Sequence, residues 1–230
     1  MRVTQGRPAH TIDGLRAEVA RAGRRLAAAG LVTGLAGNVS ARAGEVVAVT
    51  PTGGRLAELD PDDVVIVDLD GALVDAPLPP TSELPFHLAI YRHYDAGAVV
   101  HTHPLMATAV ACVADELPCI HYSLPLLGGN VRVARYETFG TEDLAASVIA
   151  ALEGRTAALM ESHGAVTYGP DLEAAIDATE LLEWACGVYV HARACGAPRV
   201  LADEERHAAR AALDAYELSR KRPADGGDGD

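Results

Sequence analysis

The segment Val-Val-His-Thr-His (99–103) constrains this chain more than any other. Side chains at i and i+2 of a strand point to the same face, so a strand over 98–103 presents His101 and His103 side by side. Such a pair is either a hydrogen-bonded feature of a core or two ligands of one metal ion. Upstream, the run Pro77-Leu78-Pro79-Pro80 cannot be helix interior, and it leads into Thr81-Ser82-Glu83. Ser82 suits an N-cap, Glu83 suits a first helical turn, and Pro85 is tolerated there. The expected helix runs to about Tyr94, with Leu84, Leu88 and Tyr91 facing inward. An acid at a helix start next to two co-facial histidines fits a metal-dependent active site better than a core.

The remaining pattern alternates helices and short strands. Ile12, Leu15, Val19, Ala22, Leu26 and Ala29 recur at helical spacing, and Gly30 is placed to end that helix. The glycine-rich turn 34–38 enters a strand, a hairpin turns at Ala43-Gly44, and 46–49 returns. A strand over 64–69 meets Asp70-Gly71, a strong short hairpin signal. Pro104 starts a helix to about Val113, and 117–140 is loop-rich around Gly128-Gly129-Asn130. Thr141 caps a helix to Leu152, with Glu142 and Asp143 in its first turn. A strand over 156–160, the Glu161-Ser162-His163-Gly164 turn and a strand over 165–168 follow. A long helix over 171–194, with Leu172, Ile176, Cys186 and Val190 on one face, precedes a last helix over 203–221.

With 230 residues, 49% of them hydrophobic, the chain suits one sizeable core. The expected division is a frayed stretch 1–10, a single domain over 11–222, and a disordered polar tail 223–230. Cys112, Cys119, Cys186 and Cys195 show no Cys-x-x-Cys spacing and are expected to be buried reduced thiols. The start of the chain lacks an apolar leader, and no apolar run approaches the ~18 residues of a membrane span. A soluble cytoplasmic protein without a membrane partner is therefore expected. A net charge of −13 argues against nucleic acid, yet leaves room for a local pocket that binds a small anion.

A third imidazole is available at His163, in Ser-His-Gly just after a strand. Three histidines with an open position form a set that catalytic zinc uses; the alternative is a packing accident. Alone, Glu83 is an ordinary helix-stabilising acid, whereas beside a metal it becomes a general acid/base or a ligand. His87, four residues on, either orients Glu83 or satisfies a buried polar contact, and the second reading is preferred. Gly37-Asn38, Thr52-Gly53 and Thr81-Ser82 are turns or helix starts whose backbone N–H groups can cradle an anion. His10, His93, His191 and His207 receive no role.

Taken together, the segments Ala-Gly-Asn-Val-Ser (36–40), Thr-Pro-Thr-Gly (50–53), Ser-Glu-x-x-Phe-His (82–87), Val-Val-His-Thr-His (99–103), Ile-His-Tyr (120–122) and Ser-His-Gly (162–164) resemble the class II aldolase/adducin family. The resemblance implies a single-domain α/β fold whose central, mainly antiparallel sheet is flanked by helices. It implies a zinc (Zn2+) enzyme with His101, His103 and His163 on the metal and Glu83 at the catalytic acid position. Gly37, Asn38, Thr52, Gly53, Thr81 and Ser82 match the phosphate-binding turns. The family forms homotetramers with sites between subunits, so Tyr122 matches a proton donor and Tyr216 a contact reaching in from a neighbour.

The implied reaction is reversible cleavage of a ketose 1-phosphate, L-fuculose 1-phosphate or similar, to dihydroxyacetone phosphate and an aldehyde. One departure stands out: Leu35 occupies a position where the aldolases carry a hydroxyl residue that helps hold phosphate. It keeps open a sugar-acid phosphate decarboxylase, dehydratase or epimerase on the same scaffold. The epimerases usually carry Asp at the acid position, so Glu83 leans toward aldolase. A non-catalytic, adducin-like role is disfavoured because all three metal ligands are present.

Overall fold

The computed structural model describes residues 11–221. Its strands are β1 (Asn38–Ala43), β2 (Val46–Val49), β3 (Val65–Asp68), β4 (Leu73–Asp75), β5 (Ala98–Thr102), β6 (Glu116–Leu117), β7 (Val131–Ala134), β8 (Ala157–Met160) and β9 (Gly164–Gly169). The helices are α1 (Ile12–Ala28), α2 (Leu84–His93), α3 (Leu105–Ala111), α4 (Glu142–Leu152), α5 (Leu172–Cys195) and α6 (Asp203–Lys221). Among the described residues the strands form one sheet, ordered β4-β3-β2-β1-β5-β9-β8-β7-β6. Every pairing is antiparallel except β7 with β8. This is the α/β fold with a mainly antiparallel sheet that the sequence leads one to expect.

Period-two alternation sorts the strand residues between two faces. Val47, Val49, Val65, Val67 and Val99 pack with Phe86, Ile90, Leu144 and Val148, which places α2 and α4 on one side. Ala48, Ile66, Ala98 and Val100 pack with Leu15, Val19, Leu26 and Ile176, which places α1 and α5 on the other. A third cluster joins α3 and the later turns of α5 to Leu159 and Ala165. Each fully buried Leu or Ile in these layers contributes about 1.5–3 kcal/mol.

Helix starts follow side-chain capping. The hydroxyls of Thr11 and Thr141 accept from Gly14 and Leu144 N–H, and the Asp171 carboxylate accepts from Ala174 N–H. Four expectations change. Ser82 does not cap α2: the Thr81 hydroxyl accepts from Glu83 N–H, the helix begins at Leu84, and Ser82 is left exposed. Ile12 is 39% exposed, because it sits at the first position of α1 beyond the packed face. Cys119 and Cys186 are buried, but Cys112 and Cys195 lie at helix ends and are exposed; all four are unpaired. The stretch 117–140 holds β7 and the last residue of β6, strands too short to show a period in the sequence. The expectations for 1–10, His10 and the tail fall outside the described residues.

Candidate metal centre and cavity

β5 lies between β1 and β9, and its register aligns Asn38 with His101 and Ser40 with Val99. Residues directly opposite in an antiparallel pair share a face, so Asn38, Ser40 and His101 all look toward α2. His103 continues that alternation just past the end of β5. His163 arrives from the β8–β9 turn, where Ser162 takes a left-handed φ of 52°. Gly164 permits the approach: a Cβ there would lie 2.4 Å from the Thr102 carbonyl oxygen and 3.0 Å from the His103 ring. Gly37 plays a similar part opposite, at φ 94°, where a Cβ would lie 3.0 Å from the His101 carbonyl oxygen.

The three imidazoles meet edge to face, with ring centroids 4.7–4.9 Å apart. His101 Nε2 and His103 Nε2 are 2.8 Å apart. Glu83, at the N-cap of α2, sends Oε2 to 3.1 Å from His101 Nε2 and Oε1 to 3.2 Å from His163 Nε2. One ligand atom from each of Glu83, His101, His103 and His163 lies within 4.8 Å of the others. His101 Nδ1 is 2.9 Å from the Ala165 carbonyl, to which only an N–H can bond, so its Nε2 carries the lone pair aimed into the cluster. Glu83 Oε1 is buried without a hydrogen-bonding donor. Three nitrogen donors, an oriented tautomer and an orphaned carboxylate oxygen fit a divalent ion with an open coordination position.

The electrostatics agree with that fit. Burial by itself raises the Glu83 carboxyl, but the adjacent His101, His163 and Asn38 side chains outweigh it and hold the group well below the usual carboxylate range. Burial, then repulsion from His101 and His163, brings His103 down to about 3. Burial, then His101, brings His87 down to about 3 as well. Both rings are thus neutral near pH 7, and for His103 this is the state a metal requires of a histidine ligand.

A cavity of about 430 Å³ opens from the cluster. Its wall includes Gly37, Asn38, Thr52, Gly53, Thr81, Ser82, Glu83, His103 and His163, so Glu83 and the residues singled out for phosphate are brought together. Tyr122 and Tyr216 are not on this wall; they are 58% and 62% exposed, and Tyr122 packs on the His121 ring. The wall also carries Leu35, Tyr136, Phe139 and Ser162. Of these the sequence marked only Leu35, although Ser162 adjoins a ligand and Gly140, beside Phe139, abuts the Ser82 carbonyl. His87 does satisfy a buried polar contact: its ring bonds Ser40 and Asn38, and Asn38 in turn donates to Glu83 Oε2 at 2.8 Å. The alternation of Asn38 and Ser40 on one strand was the available signal for that connection.

A family model described as the Class II Aldolase and Adducin N-terminal domain matches residues 17–190. A 5-deoxy-D-ribulose 1-phosphate aldolase of Bacillus thuringiensis serovar kurstaki is 36% identical over 193 residues, covering 83% of this chain and 91% of the relative. A 5-methylthioribulose-1-phosphate/5-deoxyribulose-1-phosphate aldolase of Rhodospirillum rubrum is 42% identical over 173 residues, covering 72% and 78%. Among solved structures, an L-fuculose 1-phosphate aldolase superposes with a TM-score of 0.84 at 33% identity, covering 87% of this chain and 96% of that one.

Proposed function

The chain belongs to the class II aldolase and adducin family, and from that premise we propose that it is a metal-dependent aldolase, an aldehyde-lyase acting on a ketose 1-phosphate. The reading rests above all on Glu83, whose buried carboxylate stands 3.1–3.2 Å from two of three convergent imidazoles at the floor of a cavity. A Zn2+ ion on His101, His103 and His163 would supply electrophilic stabilisation for the charge that builds on the substrate's carbonyl oxygen.

In the cleavage direction, the C4 hydroxyl gives up its proton and the C3–C4 electron pair stays with C3. C3 then takes up one proton, so dihydroxyacetone phosphate and an aldehyde leave without a co-reactant. Glu83 delivers that proton to C3, and removes it in synthesis. Gly37, Thr52, Gly53, Thr81 and Ser82 hold the phosphate through backbone N–H groups and hydroxyls, with Asn38 beside them, and this fixes C3 against Glu83. Tyr122 of a neighbouring subunit in a homotetramer exchanges the proton on the aldehyde oxygen, with Tyr216 at the same boundary. Tyr136 and Phe139 on the cavity wall suit a substrate whose far end lacks a hydroxyl, as in the 5-deoxy and 5-methylthio sugar phosphates named in two relatives. L-Fuculose 1-phosphate belongs in the same test set. Four unpaired cysteines suit the reducing cytoplasm.

A second reading, a decarboxylase, dehydratase or epimerase acting on a related sugar phosphate, is favoured by Leu35, which is 55% exposed on the wall. The test is release of dihydroxyacetone phosphate from a panel of ketose 1-phosphates, their unphosphorylated forms and sugar-acid phosphates. Release from the first group alone is expected. Turnover confined to the sugar acids would move the assignment to the second reading.

A further inference from the structure

Behind Glu83 runs a line of buried polar groups that the reaction above does not use. Tyr91 Oη lies 2.7 Å from Ser40 Oγ, and Ser40 Oγ lies 2.7 Å from His87 Nδ1. His87 Nε2 lies 2.5 Å from Asn38 Oδ1, and Asn38 Nδ2 donates to Glu83 Oε2 at 2.8 Å. None of the five residues is more than 6% exposed.

The direction of every hydrogen in this line is forced. The Glu83 carboxylate only accepts, so the Asn38 NH₂ must face it and the Asn38 oxygen must face His87. That oxygen only accepts, so His87 carries its proton on Nε2, and its Nδ1 accepts. The single Ser40 hydrogen therefore goes to Nδ1, and Tyr91 O–H donates to Ser40. Turning over the Asn38 amide would set two acceptors against each other at Glu83 and two donors against each other at His87.

We infer that Tyr91, Ser40, His87 and Asn38 form a positioning relay that commits Glu83 Oε2 to the Asn38 amide and leaves Oε1 as the oxygen that exchanges the proton. The inference rests on the proposed role of Glu83. Oε1 is the carboxylate oxygen without a hydrogen-bonding donor, and it is turned toward His163. His87 is thus a positioning residue, acting on Glu83 through an amide and not on substrate. The Asn38 side chain, bonded at both ends, serves the carboxylate, and phosphate is left to the backbone and hydroxyl groups around it.

Two measurements test this, and only one needs turnover. In ¹⁵N-imidazole NMR of the metal-free protein at pH 7.5, His87 should show a protonated Nε2 and an unprotonated Nδ1. The opposite tautomer would mean that the amide is reversed and would overturn the relay, whether or not the enzyme cleaves any ketose 1-phosphate. In kinetics, His87→Leu should lower kcat by about 10–100-fold while KM and zinc stoichiometry stay within about twofold, and His87→Gln, which can still offer an N–H to Asn38, should recover most of the loss. Unchanged kcat in His87→Leu, or equal losses in the two variants, would also overturn it. If His87→Leu does not fold, Tyr91→Phe removes one hydroxyl four hydrogen bonds from Glu83. It should still lower kcat severalfold at constant KM, and wild-type turnover there counts against the relay.

Discussion

The sheet carries a buried polar cluster on each face, and the two are built differently. On the α5 side, the hydroxyls of Thr167 and Thr179 lie 2.7 Å apart and each reaches the Ala175 carbonyl. On the α2 side, the line from Tyr91 through Asn38 ends at Glu83 with one oxygen unmet. The first cluster closes on itself and on backbone, so it does no more than satisfy groups that the core has enclosed. The second is satisfied everywhere except at the cavity, where an uncompensated acceptor stands among three imidazoles. An unpaired buried acceptor costs about 1–3 kcal/mol, a cost that a fold retains where an ion or substrate offsets it.

If that contrast is sound, damage on the two faces should differ in kind. The largest effect is expected from His103→Ala: metal analysis should show zinc lost and the aldolase assay should fall to background, with the fold intact by circular dichroism. Retention of stoichiometric zinc would remove His103 from the ligand set. Next, Glu83→Gln should keep the metal and lower kcat by about 10²–10⁴-fold. A fully active Glu83→Gln enzyme would erase the distinction between the clusters.

The third prediction concerns pH in the metal-free protein. The folded state holds His87 down to about 3, below the ordinary 6.5, so the unfolded chain binds more protons between those values. The contribution of His87 is fully present above about pH 6.5 and is lost as pH falls towards 3. It amounts to on the order of 5 kcal/mol. Urea denaturation of wild type and His87→Gln across pH 4–8 should give curves that converge on acidification, and parallel curves would contradict the neutral buried ring. The smallest effect is expected from Thr179→Val, which should cost about 1 kcal/mol of stability and leave kcat unchanged. A large loss of turnover there would mean that the closed cluster is not merely structural.

Much of the site was legible because strand alternation is a local rule. His101 and His103 follow from it directly, and His163 from its place after a strand. Thr141 marks a helix start by side-chain chemistry that one residue carries on its own, and in the structure Thr11 and Asp171 cap in the same way. What stayed hidden depends on relations between distant segments. Ser40 and Tyr91 enter the relay only through the register of β1 on β5 and the crossing of α2 above them. Tyr136 and Phe139 reach the cavity because their loop passes beside Ser82, and no period in that loop announces it. Ser82 does not cap α2 because the helix starts one residue later than its hydroxyl suggests, with Glu83 at the N-cap position and no side chain capping the first turn.

The close approach that Gly164 permits also bears on how the protein is made. His163 is translated long after His103, and the hairpin that carries it supplies β9, the strand that pairs with β5. A nascent chain halted at the end of β8 would hold two of the three histidines on a β5 whose outer edge is still open, the condition in which strands pair with the wrong neighbour. Docking of β9 closes that edge and delivers the third imidazole in one event. Full-affinity metal uptake should therefore coincide with sealing of the middle of the sheet, so that ion binding would report completed folding on the ribosome.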